Sequence, residues 1–470
     1  MDCSVRAKVE SSDDLHLQIT KTSVVKPLRP THRFNFYLSP SDTFFLNFNY
    51  VRSVLFYPAL RLANADYLQE EGRSCCDIQT LKDGLAKVLV DFYPVAGRFR
   101  HENDGSGDKC SNIVIDCNDA GVEFREAFAD YDFFELQEEK FPIHDLYSGL
   151  TAPTPFNPFE EAFLSIQVTT FRDGCGIAIG ATASHAVFDG SSYSYFLRSW
   201  GQCCRGLGVS LPPFHVRTVL DPKCWLDTSK LGQDLAPRPR AAMEIPNVKR
   251  PSTKGHCRVL HFDSAVVQQL KRKAIQESGN PSISSYQAVL ASIWKRLVEA
   301  YEMPPEQMVC LYLKADLRQR LRPALTPAYF GNALDVVNVQ ATVSNLREES
   351  VGVVAARIRK AIDVLNDEEY IRGRLAKPGL KFMEFMQLLG ELMSGRIYMF
   401  FINHGPKSAL FEVDLGFGRP LAVRPSTLHN DRAIDVYPGQ EMGSMDVCMR
   451  FTSTKALQAF LSIPSPSIVI

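Results

Sequence analysis

The sequence predicts an α+β fold with mixed sheets, split into two units of similar size. Two observations carry this. Strand-like and helix-like segments follow one another irregularly, without the steady strand–helix alternation of a parallel α/β fold. And Pro212, Pro213, Pro222, Pro237, Pro239, Pro246 and Pro251 crowd one stretch that shows few regular apolar patterns. Long loops of this kind usually link units or carry function. Residues 1–210 and 256–470 are therefore expected as the two units and 211–255 as the crossover, a division that suits a chain of 470 residues.

Taken in order, Leu81, Leu85, Val88, Leu89 and Phe92 fall at helical spacing behind Thr80, which reads as an N-cap; Pro94 ends the helix. Leu164, Ile166 and Val168 alternate as a half-buried strand does, Gly174 and Gly176 mark a turn, and Ile177, Ile179 and Ala181 alternate again, which makes a hairpin. The segment from Ser184 to Gly190 follows. Tyr193, Phe196, Leu197 and Trp200 then form an amphipathic helical stripe with Ser191 as its cap. This places His185 and Asp189 in a strand-to-helix junction, where backbone donors are free and side chains can enter a cavity. Past the crossover come a strand at 258–262, helices at 264–278 and from Ser284, strands at 309–313, 335–343 and 446–451, and helices at 346–366 and 457–461. No 20–50-residue repeat is present.

Composition excludes several classes. With 52 Lys+Arg against 53 Asp+Glu, bulk charge cannot drive nucleic-acid binding. A hydrophobic fraction of 45% excludes a disordered or collagen-like chain. Apolar runs such as 176–183 stop well short of the roughly 18 residues a membrane span needs. The charged start (Arg6, Lys8, Glu10, Asp13, Asp14) argues against a secretory signal. The 12 cysteines lack CxxC and finger spacing, and the histidines do not cluster with Cys or carboxylates. Reduced cysteines, no metal and a cytoplasmic monomer are expected.

No GxSxG, P-loop or HExxH pattern occurs, and Gly416-Phe417-Gly418 does not complete a dinucleotide fingerprint. What remains is His185-Ala-Val-Phe-Asp189-Gly190. Read alone, it is open between a satisfied core histidine and a general base; the strand-end position favours the base, since imidazole accepts protons near neutral pH. The second segment, Asp414-Leu-Gly416-Phe417-Gly418-Arg-Pro420, reads as a rigid turn that shapes a loop rather than catalyses. Asp414 needs a partner if buried, and Asp316-Leu-Arg318 offers one.

Together these segments resemble the plant BAHD acyltransferases, whose signature pair is HxxxDG followed far downstream by a DFGWG-like turn. Further resemblances run in chain order: Leu38-Ser-Pro-Ser-Asp42, Tyr93-Pro-Val-Ala-Gly-Arg98, Arg205-Gly206, Pro212-Pro-Phe214, Ile283-Ser-Ser-Tyr-Gln287 with Trp294, Asp316 to Leu321, and Tyr329-Phe-Gly-Asn332. They cover nearly the whole chain. Gly405-Pro-Lys407, Pro420 to Arg424 and Tyr437 to Ser444 further resemble the branch associated with cutin and defence metabolism.

The resemblance implies two chloramphenicol-acetyltransferase-like domains with a solvent channel between them. It implies acyl-CoA as co-substrate, no permanently bound cofactor, and a small hydroxyl or amine acceptor. His185 would be the general base. Asp189 would point away from substrate and pair with an arginine, with Gly190 beside it. Asp414, Gly416 and Gly418 would support the site structurally, with Arg318 as the partner of Asp414. Lys254, Arg258, Ser284 and Ser285 lie where the family binds CoA, although each also reads as a plain surface residue. Two departures matter. Phe417 replaces the family's Trp in the glycine turn, and the Trp found upstream of the turn in hydroxycinnamoyl-transferring members is missing. Asn403 and His404 then become the candidate oxyanion donors. Phe417 is a candidate acceptor contact, and Lys407 is either the holder of an acceptor carboxylate or a solvated lysine. An altered member acting as a lyase or hydrolase in the same channel, or a non-catalytic binding relative, are the alternatives.

Overall fold

The computed structural model describes residues 17–47, 50–58, 78–102, 113–143, 145–155, 157–224, 255–403, 405, 409–426, 432–451 and 453–463. Lys254, His404, Lys407 and most of the expected crossover lie outside these residues. The strands are β1 (Leu17–Val25), β2 (Asn35–Phe36), β3 (Val51–Pro58), β4 (Arg98–His101), β5 (Ile113–Asp116), β6 (Val122–Ala129), β7 (Leu164–Phe171), β8 (Gly176–Ala183), β9 (His256–Phe262), β10 (Met308–Asp316), β11 (Leu334–Thr342), β12 (Ile397–Asn403), β13 (Ala422–Pro425), β14 (Ala433–Pro438) and β15 (Met445–Phe451). The α-helices are α1 (Pro40–Phe44), α2 (Ile78–Asp91), α3 (Phe133–Glu138), α4 (Gly190–Cys204), α5 (Ser264–Ser278), α6 (Ser285–Ala300), α7 (Val343–Glu348), α8 (Val351–Asp363), α9 (Glu368–Ala376), α10 (Pro378–Met393) and α11 (Thr454–Ser462).

Two six-stranded sheets form the frame, in the orders β1-β6-β7-β8-β3-β13 and β11-β10-β12-β14-β15-β9. Both are mixed. β6 and β7 run parallel in the first, β10–β12 and β12–β14 in the second, and the other neighbours are antiparallel. This is the α+β class that the irregular element order predicted. The chain beyond residue 256 does not all stay with the second sheet: β13 pairs with β3 in the first.

Helical spacing puts Leu81, Leu85, Val88 and Leu89 of α2 on one face and Tyr193, Phe196, Leu197 and Trp200 of α4 on another; the two faces share one buried cluster. The Trp200 indole N–H donates to the Leu81 carbonyl at 2.9 Å. Each fully buried large apolar side chain stabilises by roughly 1.5–3 kcal/mol. This shared face therefore fixes α4, and with it the loop that precedes α4. Around the second sheet, Ile293, Trp294 and Leu297 of α6 join Val309, Leu311 and Leu313 of β10 in a separate core.

Three local expectations differ. Thr80 lies inside α2 rather than capping it. The single helix expected over 346–366 is broken at Glu349–Ser350, where Ser350 turns extended and caps α8 by accepting from Val353 N. And α9 and α10, which the sequence reading left without structure, pack beside the second sheet. Among the described residues no helix is long and apolar enough to cross a membrane, and no group of three or more His, Cys, Asp or Glu is placed to hold a metal.

Candidate active site

β8 ends at Ala183, Ser184 N donates to Phe163 O at 2.7 Å, and residues 185–187 turn the chain toward α4. Asp189, not Ser191, caps that helix: its Oδ1 accepts from Ser192 N at 2.8 Å. His185 is thereby presented at a strand end, and only 7% of it is exposed. Its ring stacks on Phe45 with centroids 3.8 Å apart and planes 7° from parallel. Its Nδ1 is buried with no hydrogen-bond partner. Burial, with the charge of Lys314 added, holds its pKa down to about 3, against the usual 6.5. The imidazole is therefore neutral, with a lone pair to receive a proton, throughout the physiological range.

The loop carrying His185 is locked from behind by distant motifs. Arg318 forms a buried bidentate pair with Asp189, Nη1 to Oδ2 at 2.7 Å and Nη2 to Oδ1 at 3.0 Å. Ala333 N donates to Asp189 Oδ2 at 3.0 Å. Burial pushes the Asp189 carboxyl up, but Arg318 outweighs it and holds it below its ordinary value. Asn332 Nδ2 donates to the His185 carbonyl at 2.9 Å and to Asp42 Oδ1 at 3.0 Å. Buried Arg217 donates to the carbonyls of Val187 and Phe330, each at 3.1 Å, and pairs with Asp42 at 3.3 Å. The segments 38–42, 316–321 and 329–332 thus converge on one loop.

Arg318 is the partner of Asp189 and not, as the sequence suggested, of Asp414. Asp414 pairs with Arg205 at 3.1 Å, and its Oδ1 accepts from Gly416 N and Gly418 N, both at 2.9 Å. Gly416 (φ 106°) and Gly418 (φ 83°) take left-handed backbone that a side chain would strain, which is what the turn needs glycine for. The turn lies against α4, where a Cβ on Gly201 would run into the Asp414 carbonyl. Phe417 packs against Tyr57 in the first core, with centroids 5.7 Å apart. The geometry makes this segment a support for α4, and packs Phe417 into the first core.

The CoA candidates are less concentrated. Ser284 caps α6 in a reciprocal box with Gln287, so its Oγ and N are already engaged; Ser285 opens the helix. Arg258, half-buried on β9, donates to the Cys257 carbonyl. Asn403 closes β12 and accepts from Lys314 Nζ at 3.4 Å.

Phe45, stacked on His185, also lines a pocket that sequence reading missed. Phe44 and Phe45, Lys314 from β10, Asp335 from β11, Arg374 from α9 and Lys381 from α10 are among its walls. Asp335 accepts from Arg374 Nε at 2.7 Å and faces Lys381 Nζ at 3.3 Å. Phe45 belongs both to this pocket and to the stack on His185. Phe45→Ala is therefore expected to wet the imidazole and raise its pKa toward, but not to, 6.5, because Lys314 stays. An acid limb should then enter the pH profile of kcat/KM between about pH 5 and 6.5, where the parent shows none from this group. An unchanged profile would contradict the stacking role.

A family model described as "Transferase family" matches residues 15–462. The chain belongs to that family, the BAHD acyltransferases. "Hydroxycinnamoyltransferase 2" of Oryza sativa subsp. japonica is 29% identical over 93% of this chain and 96% of its own. "Omega-hydroxypalmitate O-feruloyl transferase" of Arabidopsis thaliana is 26% identical over 94% of this chain and 92% of its own. The crystal structure of TRI101 from F. sporotrichioides, complexed with coenzyme A and T-2, superposes with a TM-score of 0.67 at 16% identity, over 92% of this chain and 97% of that one. It shares the two-sheet fold.

Proposed function

We propose that this acyltransferase moves an acyl group from acyl-CoA to a hydroxyl or amine of a small acceptor, with His185 as general base. The observation that carries this reading is the neutral, buried imidazole of His185. Its loop is fixed by Asp189, Arg318 and Asn332, and Phe45, the ring stacked on it, lines a small pocket. The imidazole takes the acceptor's proton as the acceptor oxygen or nitrogen bonds to the thioester carbonyl carbon. The tetrahedral adduct then collapses, the C–S bond breaks, and the proton passes from His185 to the departing CoA thiolate. Asn403 is the described candidate for stabilising the oxyanion. The names of the relatives favour a hydroxycinnamoyl donor, and the feruloyl transferase keeps a hydroxy fatty acid among the acceptors. The reading retains the cytoplasmic monomer expected from sequence. Incubating the protein with hydroxycinnamoyl-CoA and a panel of phenols, alcohols and amines, and identifying products by mass, tests it. Ester or amide products support transfer. Turnover of an acceptor without CoA would point to a lyase, and the absence of both turnover and CoA protection against heat to a binding protein.

A further inference from the structure

We infer that Arg217 is a positioning residue for His185, and that the start of the crossover, residues 211–224, is a strap that holds the base in place separately from the Asp189–Arg318 pair. The inference rests on His185 being the base of the transfer reading above. Three observations carry it.

The first is where Arg217 reaches. It lies in a single 3-10 turn, Arg217–Leu220, and is only 1% exposed. Each guanidinium nitrogen has its own target: Nε donates to Phe330 O at 3.1 Å, Nη2 donates to Val187 O at 3.1 Å, and Nη1 faces Asp42 Oδ2 at 3.3 Å. Val187 is two residues from His185. Phe330 is two residues from Asn332, whose Nδ2 holds both the His185 carbonyl and Asp42 Oδ1. All three targets therefore lead to the backbone of the base. Only a planar fork addresses three directions at once; an ammonium is a single point charge.

The second is the room made for it. Gly331 has φ 151°, and a Cβ there would stand 2.8 Å from Arg217 Nε. The backbone leading to Asn332 is thus bare where the guanidinium lies. The rings of Phe36 and Phe330 flank it, 5.0 and 5.8 Å from Cζ. Both side chains of the Arg217–Asp42 pair are fully buried. Such a pair gains little stability over apolar residues of the same volume; what it fixes here is geometry.

The third is the span of the strap. Phe214 N donates to Ala328 O at 2.8 Å, and Phe214 O accepts from Phe330 N at 3.0 Å. His215 Nε2 lies 2.8 Å from Asp91 O at the end of α2. Leu220 enters the second core, whereas Val187 and Phe330 belong to the first. A shift between the two cores is therefore carried by this segment to Val187.

Two measurements test this. Arg217→Lys keeps a charge beside Asp42 but cannot hold both carbonyls. Its kcat should fall about 10- to 10²-fold, the cost of misplacing a reacting group by about 1 Å, with KM for acyl-CoA and for acceptor little changed. Ile358→Val, a destabilising change in the second core, should keep the parental kcat. A folded Arg217→Lys with the parental kcat overturns the inference, as does a loss confined to KM or a loss that Ile358→Val shares. The second measurement needs no variant and no turnover. Hydrogen exchange of the parent in rising denaturant should show the amides of Val187 and Phe188 opening together with that of Phe214, as one unit. If residues 187–188 open at lower denaturant than Phe214, the strap falls, whatever the activity. If they open together but no transfer is found, the strap stands and the transfer reading falls.

Discussion

His185→Ala is expected to lower kcat for acyl transfer by about 10²–10⁴-fold, the usual contribution of a positioned general base. The fold should survive. The imidazole makes no side-chain hydrogen bond through Nδ1, and its backbone carbonyl, which Asn332 holds, remains after the substitution. Removing the ring leaves a gap beside Phe45, so a modest loss of stability accompanies the kinetic loss. Affinity for acyl-CoA should change little, because in the proposed mechanism His185 acts on the acceptor proton. Thermal protection by CoA, measured beside the rate, separates a chemical defect from a folding one. A variant that keeps the parental rate removes His185 from the chemistry. One pH consequence follows for stability. A His held near pKa 3 when folded titrates near 6.5 when unfolded, so the unfolded chain binds the extra proton between those values. Stability contributed by burying neutral His185 is present above about pH 6.5 and is lost progressively as pH falls toward 3.

Asp189→Asn carries the largest expected cost to stability, about 3–5 kcal/mol, the range for breaking one side of a buried ion pair. The pair is 129 residues apart in sequence and joins α4 to the segment after β10. Neutralising Asp189 leaves the buried Arg318 guanidinium with Ser192 Oγ, the carbonyls of Tyr329 and Gly331, and the part-exposed Asp316 carboxylate at 3.2 Å, which replaces only part of the lost bidentate charge. In either orientation the new amide also turns an N–H pair toward Arg318 and toward Ser192 N or Ala333 N, so a donor meets a donor. Denaturant midpoints give the value. The double variant Asp189→Asn with Arg318→Gln should cost less than the sum of the two single changes, since each single change leaves the other partner buried without its bidentate mate. Additive losses would show that the pair is not coupled. In the parent, the lowered carboxyl of Asp189 contributes stability that is complete above about pH 4, near its unfolded value, and disappears as pH falls through the lower folded value; Asp189→Asn should lack that dependence. Activity should fall through a loosened His185 loop, while Asp189 itself remains a positioning residue.

His185 and Asp189 were legible because strand, base, cap and helix occupy one short stretch, and because the alternation before it and the i, i+3, i+4, i+7 stripe after it set both ends. The mixed sheets were legible from element order. Pairing across the chain was not. Two aspartates, Asp189 and Asp414, competed for Arg318, and linear order cannot tell that Arg205, at the end of α4, already serves Asp414. Lys314 was lost because the apolar pattern of β10 ends at Leu313, so the lysine read as the strand's edge. Three-dimensionally it faces a pocket assembled from the α1 region, β10, β11, α9 and α10. The last two helices gave little warning: α9 buries Ile371, Leu375 and Ala376, a narrow stripe inside a charged sequence. Phe45 lies among Phe44, Leu46 and other apolar residues, and nothing in that run marks it as the ring stacked on His185. Arg217 sits in the proline-rich crossover, where no periodicity signals burial.

The central claim is that His185 deprotonates an acceptor that then takes the acyl group from CoA. The most direct measurement is the initial rate of free CoA thiol release from hydroxycinnamoyl-CoA, with and without the acceptor identified from the panel, for the parent and for His185→Ala. Acceptor-dependent release by the parent, one CoA per acylated product, that falls by at least about 10²-fold in His185→Ala is the expected result. Release that ignores the acceptor, or that persists at the parental rate in His185→Ala, would contradict it.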